Sequence, residues 1–233
     1  MFTTRPEIRG TFGAVATTHW IASAIGMSVL ERGGNAFDAA AAAGFVLQIL
    51  EPHLNGPGGE VPIILKRHDA STPVVICGQG PFPAAASIER FAALGLAQVP
   101  GTGLLPAVVP GAFDAWMMLL RDFGTWTPRA VLEAAIGYAG DGFPVLGRVS
   151  ASILPARDFF QAEWPSSAAV WLPGGDVPRP GALFRSPAIA RTYRRILDEA
   201  EAVGGDRERQ RMRAEQAELG LRQDRDHAGQ RPA

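Results

Sequence analysis

Residues 31–60 read ERGGNAFDAAAAAGFVLQILEPHLNGPGGE. Within this stretch lie a helix stop, a helix start, a helix of small residues and a glycine-rich loop. Gly33-Gly34 predicts the end of a helix over Ile21–Arg32, because glycine enters the left-handed C′ conformation without a Cβ clash. Asn35 is placed as an N-cap, and Asp38 falls in the first turn, where its charge suits the helix dipole. The next helix, Ala36–Leu50, carries Ala at every position from 39 to 43. A face of methyl groups lets another element approach closely. That predicts tight core packing; the alternative is a surface that receives a partner or ligand.

Outward from this block, Phe12–Thr18 (FGAVATT) reads as a short buried strand. Residues 62–67 and 74–78 read as two strands around a turn at His68–Pro73. A helix is expected from Ser87, another over Pro110–Phe123, and a third opened by Thr127 as N-cap with Pro128 at the first helical position. Val131, Leu132, Ala135, Ile136 and Ala139 give that third helix an apolar face. Further helices are expected near Arg148–Ala162 and Ser186–Ala202, separated by a Pro/Gly-rich loop at Leu172–Gly181.

The chain has 233 residues, of which 47% are hydrophobic and 19% charged, the composition of a folded protein. Its net charge of -1 provides no basic field for nucleic acid or an anionic membrane. No run reaches the roughly 20 apolar residues that a membrane span needs. The opening residues MFTTRPEIRG hold no apolar signal core, so a cytoplasmic location is expected. Cys77 is the sole cysteine, which excludes an intrachain disulfide. Of 22 basic residues only Lys66 is a lysine, an Arg bias that points to a GC-rich gene. From Asp206 onward seven Arg and six acidic residues fall within 28 positions, with few large apolar side chains. Such a segment buries too little surface to offset its ordering entropy. The expected organisation is therefore a folded region over 1–205 and a charged tail over 206–233, either solvated or derived from a shifted reading frame.

The residues ATTHWIASAIGMSVLERGGNAFDAAAAAGFVLQILEPH, followed by NGPGGE, GQGPFPAAAS and VVPGAFDAW, resemble the large-subunit N-terminal region of the γ-glutamyltransferase (γ-glutamyltranspeptidase) family. The resemblance covers roughly residues 9–200. It implies an α+β fold, specifically the large-subunit part of an N-terminal-nucleophile hydrolase αββα sandwich. It also implies transfer or hydrolysis of a γ-glutamyl or similar acyl amide, as in glutathione metabolism. The family's nucleophile is a Thr freed at the start of a small C-terminal subunit, with its own α-amine as base. By that resemblance no catalytic residue is expected in this chain, and a separate small subunit is the expected partner.

Two positions depart from the family pattern. Thr17-Thr18-His19 imitates the nucleophile motif but stands in the opening block, where strand-end hydrogen bonding is the expected role. The family reads its donor's α-carboxylate with an Arg, and alignment on PAAAS places Gln79 there. An amide forgoes the charge-assisted bond, about 1.5–3 kcal/mol. Arg90, Lys66 and Arg67 are the nearby cations. A divergent donor is therefore expected, and a glutaryl- or cephalosporin-acylase-like amidohydrolase is the alternative. A non-catalytic scaffold and a truncated product are the other readings.

Gln79, Asn55, Gly58 and Gly59 are the candidate substrate-binding residues, the last three because loop N–H groups would line an acyl pocket. NGPGGE lacks the Lys and spacing of a phosphate loop. His19, His53, His68 and His227 show no metal spacing, so neither metal nor cofactor is expected. His53 is expected to hold its loop, and Cys77 to be a buried small residue at a strand end.

Overall fold

A computed structural model of the chain describes Glu7 and residues 9–202. The charged segment from Asp206 lies outside the described residues. Among the described residues two compact units emerge, one formed by those up to Asn55 together with those from Met118 onward, the other by residues 56–117. Within the described residues the architecture is mixed helix and sheet.

In the first unit α1 (Trp20–Glu31) and α2 (Ala36–Leu50) form a hairpin. Gly33 turns the corner at φ 89°. Asn35 accepts from the backbone N–H groups of Phe37 and Asp38, while the Asp38 carboxylate accepts from Asn35 N, a reciprocal capping box. The alanine run does what its small size allows. A Cβ on Gly26 of α1 would stand 3.3 Å from Ala39 O and 3.5 Å from Ala43 Cβ. The close approach of α1 to α2 therefore needs small residues on both helices.

α5 (Pro128–Asp141) packs on α2, and α9 (Pro187–Glu201) packs on α5. Phe45, Leu50, Leu132, Tyr193, Ile196 and Leu197 are fully buried among these helices. Phe45 and Tyr193 meet edge to face at 5.8 Å. The Tyr193 hydroxyl donates to Gln48 Oε1 at 2.6 Å, so the polar end of each buried side chain is satisfied. The region predicted as one helix after Pro144 is broken into α6 (Gly147–Ile153), α7 (Arg157–Glu163) and α8 (Pro165–Trp171). Pro155 lies in a 3₁₀ turn between α6 and α7, and Pro165 opens α8, because proline suits a first turn and not a helix interior. A two-residue bridge pairs β3 (Phe143–Pro144) with β4 (Leu183–Phe184).

The second unit contains the antiparallel hairpin of β1 (Val61–Leu65) and β2 (Val74–Gly78), with Ile63 opposite Ile76. It also holds α3 (Ile88–Ala93), capped by Ser87, and the opening of α4 (Ala112–Phe123), where the boundary between the units falls. Leu65, Ile76, Phe113 and Met117 are its large buried side chains.

Two further expectations fail. Phe12–Thr18 is not a strand and forms no ladder with any described residue. Its side chains alternate between half-buried and exposed, so the pattern is that of a strand, but a strand needs a partner for its N–H and C=O groups. Cys77 is exposed, not buried. The two-residue period of β2 turns Ile76 and Gly78 inward and therefore Cys77 outward.

Candidate functional site

Gly78-Gln79-Gly80 continues β2 and runs against the segment Val109–Gly111. A Cβ on Gly80 would fall 1.3 Å from Val109 O, and one on Gly78 would fall 2.3 Å from Val61 O. Neither position admits any side chain while the backbone stays in place. Val109 N donates to Pro81 O at 2.9 Å and fixes the approach from the other side. Gln79 is thus the single side chain presented by a locked three-residue segment. It is exposed and makes no hydrogen bond to a described residue.

The glycine-rich loop resolves into parts with different tasks. Gly59 O accepts from Gly111 N at 3.2 Å and Ala112 N at 3.1 Å, which fastens the loop to the start of α4. Gly111 in turn lies against Gly78 and Gly80, with 2.6 Å between its ideal Cβ and Gly78 O. Gly59 and the Gly78–Gly80 segment are therefore brought together on two sides of Gly111. Gly58 is exposed, and an added Cβ there would meet nothing within 4 Å. Asn55 belongs to the other unit. Its Nδ2 stands 3.5 Å from both Leu47 O and Glu51 O, carbonyls at the end of α2, and Asn55 N bonds Glu51 O at 3.2 Å. Asn55 thus finishes a helix.

A second cluster surrounds Glu51, the C-cap of α2, which is fully buried. A carboxylate at the negative end of a helix, away from water, is doubly unfavourable. Its partners explain how it persists. Thr18 Oγ1 donates to Glu51 Oε2, and Arg148 Nη2 donates to Glu51 Oε1. The same Arg148 nitrogen donates to Thr18 O at 2.7 Å. One guanidinium therefore joins the entry to α1, the end of α2 and the start of α6.

His19 caps α1, its Nδ1 accepting from Ile21 N at 3.1 Å. His19 Nε2 and His53 Nδ1 are buried without a hydrogen-bond partner among the described residues. Burial lowers the pKa of both imidazoles; Glu51 opposes that shift and Arg148 reinforces it. The neutral form of each ring is thereby favoured. Thr17 Oγ1 donates to His19 O at 2.7 Å, and Thr17 N donates to Ser23 Oγ at 3.0 Å. The Thr-Thr-His triplet is thus engaged in capping and in the Glu51 network. No group of three or more potential metal ligands occurs among the described residues.

Sequence reasoning did not find the Glu51 cluster. Glu51 read as part of a turn and Arg148 as the start of a helix. The pair lies 97 residues apart, and no spacing rule connects them.

A sequence model of the gamma-glutamyltranspeptidase family matches residues 22–203. The chain belongs to this family. Oxamate amidohydrolase proenzyme of Klebsiella pneumoniae is 31% identical over 195 residues, covering 81% of this chain and 36% of that proenzyme. Acylase ACY 1 proenzyme of a Pseudomonas species is 36% identical over 211 residues, covering 84% of this chain and 37% of the relative. A solved structure of LmbA2991 superposes with a TM-score of 0.88 at 54% identity, over 92% of this chain and 36% of that one. The chain thus spans a little over a third of the length of each of these gamma-glutamyltranspeptidase-family relatives.

Proposed function

We propose that this chain supplies the large-subunit part of an N-terminal-nucleophile amidohydrolase with αββα architecture, the family region ending near residue 205. The nucleophilic Thr comes from polypeptide outside these 233 residues. Its hydroxyl oxygen attacks the acyl carbon of an amide, and its α-amine takes the proton. The C–N bond then breaks, the amine leaves with that proton, and water hydrolyses the ester to release the acid and restore Thr.

The observation that carries the donor assignment is the Gly78-Gln79-Gly80 segment. Its two glycines are dictated by backbone contact, and its one side chain is a neutral, exposed amide. An amide forgoes the ion pair with a distal carboxylate, which γ-glutamyl and glutaryl chains both carry, and so favours an uncharged acyl chain over either. The relatives named as an amidohydrolase and an acylase support amide hydrolysis more broadly than on γ-glutamyl donors. Gly59, held next to this segment through Gly111, forms part of the same wall. The free thiol of Cys77 agrees with a cytoplasmic setting.

The test is Gln79→Arg in the enzyme assembled with its nucleophile-bearing part. The ratio of γ-glutamyl-4-nitroanilide to pentanoyl-4-nitroanilide hydrolysis, the latter lacking the distal carboxylate, should rise at least about tenfold, the factor for one charge-assisted bond. An unchanged ratio would remove Gln79 from donor recognition.

A further inference from the structure

Asn35 and Asn55 are the two asparagines of the chain, and they are held very differently. Asn35 is locked as the cap of α2. Its Oδ1 accepts from Phe37 N at 2.9 Å and Asp38 N at 3.0 Å, and its Nδ2 donates to Phe123 O at 2.7 Å. Asn55 is half-buried, and its Nδ2 stands 3.5 Å from both Leu47 O and Glu51 O, beyond the roughly 3.2 Å of an ordinary N–H···O bond. The next residue is Gly56, whose N–H meets no acceptor among the described residues. A Cβ on Gly56 would meet nothing within 4 Å.

We propose that Asn55-Gly56 is a site of spontaneous covalent modification, at which Asn55 passes through a cyclic imide to aspartate and isoaspartate. Asparagine is among the thermolabile residues. Hydroxide takes the proton of Gly56 N, and that nitrogen attacks Asn55 Cγ. The new N–Cγ bond closes a five-membered ring, the Cγ–Nδ2 bond breaks, and ammonia leaves with a proton from water. Water then adds to one ring carbonyl, the C–N bond at that carbon breaks, and the nitrogen regains a proton. Opening at Cγ leaves aspartate; opening at the main-chain carbonyl leaves isoaspartate. Gly56 favours closure because it has no Cβ to crowd the ring and no acceptor withholding its proton. Asn55 gives up only long contacts to turn toward it. Asp141-Gly142 has the same small neighbour, but Gly142 N is engaged with Tyr138 O at 3.1 Å. The product alters the end of α2. Asn55 Nδ2 faces two carbonyls, whereas a carboxylate only accepts and meets the negative end of the helix dipole. The conversion is one-way and weakens the turn that finishes α2.

The experiment is peptide mapping by mass spectrometry of the full chain, incubated folded at pH 8, with isoaspartate identified by electron-transfer fragmentation. Asn55 should gain the mass difference between NH2 and OH, as aspartate and isoaspartate together. It should do so at least about tenfold faster than Asn35, which must first give up its capping hydrogen bonds. Gly56→Ala, whose methyl meets no neighbour, should slow the conversion of Asn55 and leave that of Asn35 unchanged. Asn55→Asp, which carries the product's charge from the start, should lower the urea midpoint. An intact Asn55, equal rates at the two asparagines, aspartate without isoaspartate, or a rate indifferent to Gly56→Ala would overturn the assignment. An unchanged urea midpoint would overturn its effect on the turn. If Gly56→Ala does not fold, the isoaspartate yield at Asn55 in the native chain decides.

Discussion

Arg148 binds the fully buried carboxylate of Glu51 while nearly half of its own side chain, 46%, stays exposed to solvent. The cation keeps its hydration and the anion keeps a partner. This asymmetry reduces the desolvation cost that makes many buried ion pairs neutral or unfavourable. Arg148→Met leaves Glu51 buried without its cation and should destabilise the protein by about 2–4 kcal/mol. Adding Glu51→Leu to that variant should recover part of the loss. Urea midpoints of the two singles and the double measure the coupling.

The same cluster predicts an acid-labile fold. His19 and His53 have folded-state pKa values below the ordinary 6.5, chiefly because burial penalises the charged ring. The unfolded chain therefore binds protons more readily, and stability rises with pH where the two states differ in protonation. Their contribution is complete above pH 6.5 and is lost as pH falls from there through the folded-state values. Urea midpoints between pH 8 and pH 5 should decline in the native chain. They should decline less in the His19→Gln, His53→Leu double variant.

Asp38 does more than its place in a first turn announces. Its carboxylate accepts from Asn35 N at 3.0 Å, Thr125 N at 2.9 Å, Thr125 Oγ1 at 2.5 Å and Trp126 N at 3.2 Å. It therefore ties the cap of α2 to the entry of α5. Asp38→Ala strands several N–H donors and should cost about 3–5 kcal/mol, whereas loss of a simple cap costs about 1 kcal/mol. A chemical denaturation curve distinguishes the two.

The glycines separate into those that are required and those that are not. Gly80→Ala places a methyl 1.3 Å from Val109 O, so the backbone must move, and a loss of about 3 kcal/mol or more is expected. Gly58→Ala meets nothing within 4 Å and should stay within about 0.5 kcal/mol of the parent. Comparable effects at the two positions would contradict the geometry of the Gln79 segment.

Local signals were readable where local chemistry decides the outcome. α1 ends before Gly33-Gly34 and α2 starts after its Asn35 cap, as predicted, and α5 starts at Pro128 after its Thr127 cap. The family was legible because RGGNAFDAA, EPH and NGPGGE occur together. The helix expected over 148–162 breaks at Pro155, a local signal, whereas the other misreadings depend on the third dimension. Phe12–Thr18 has the residues of a strand but no described partner to pair with. Cys77 faces outward because of the register of β2, which one residue of slip would reverse. Glu51 and Arg148 meet only because α2 and α6 end and begin at the same place. Asn55 was legible only as a loop residue, and its contacts with the end of α2 needed the fold to be seen.

The central claim is that this chain carries a donor-reading wall and that the nucleophile lies elsewhere. The most direct measurement is release of 4-nitroaniline from pentanoyl-4-nitroanilide, glutaryl-4-nitroanilide and γ-glutamyl-4-nitroanilide by the purified chain. It is made with the chain alone, and again after co-expression with a polypeptide spanning the part of LmbA2991 that this sequence does not cover. The account predicts no release above buffer from the chain alone, and Gln79-dependent release from the assembled pair. Turnover by the pure 233-residue chain on its own would contradict it.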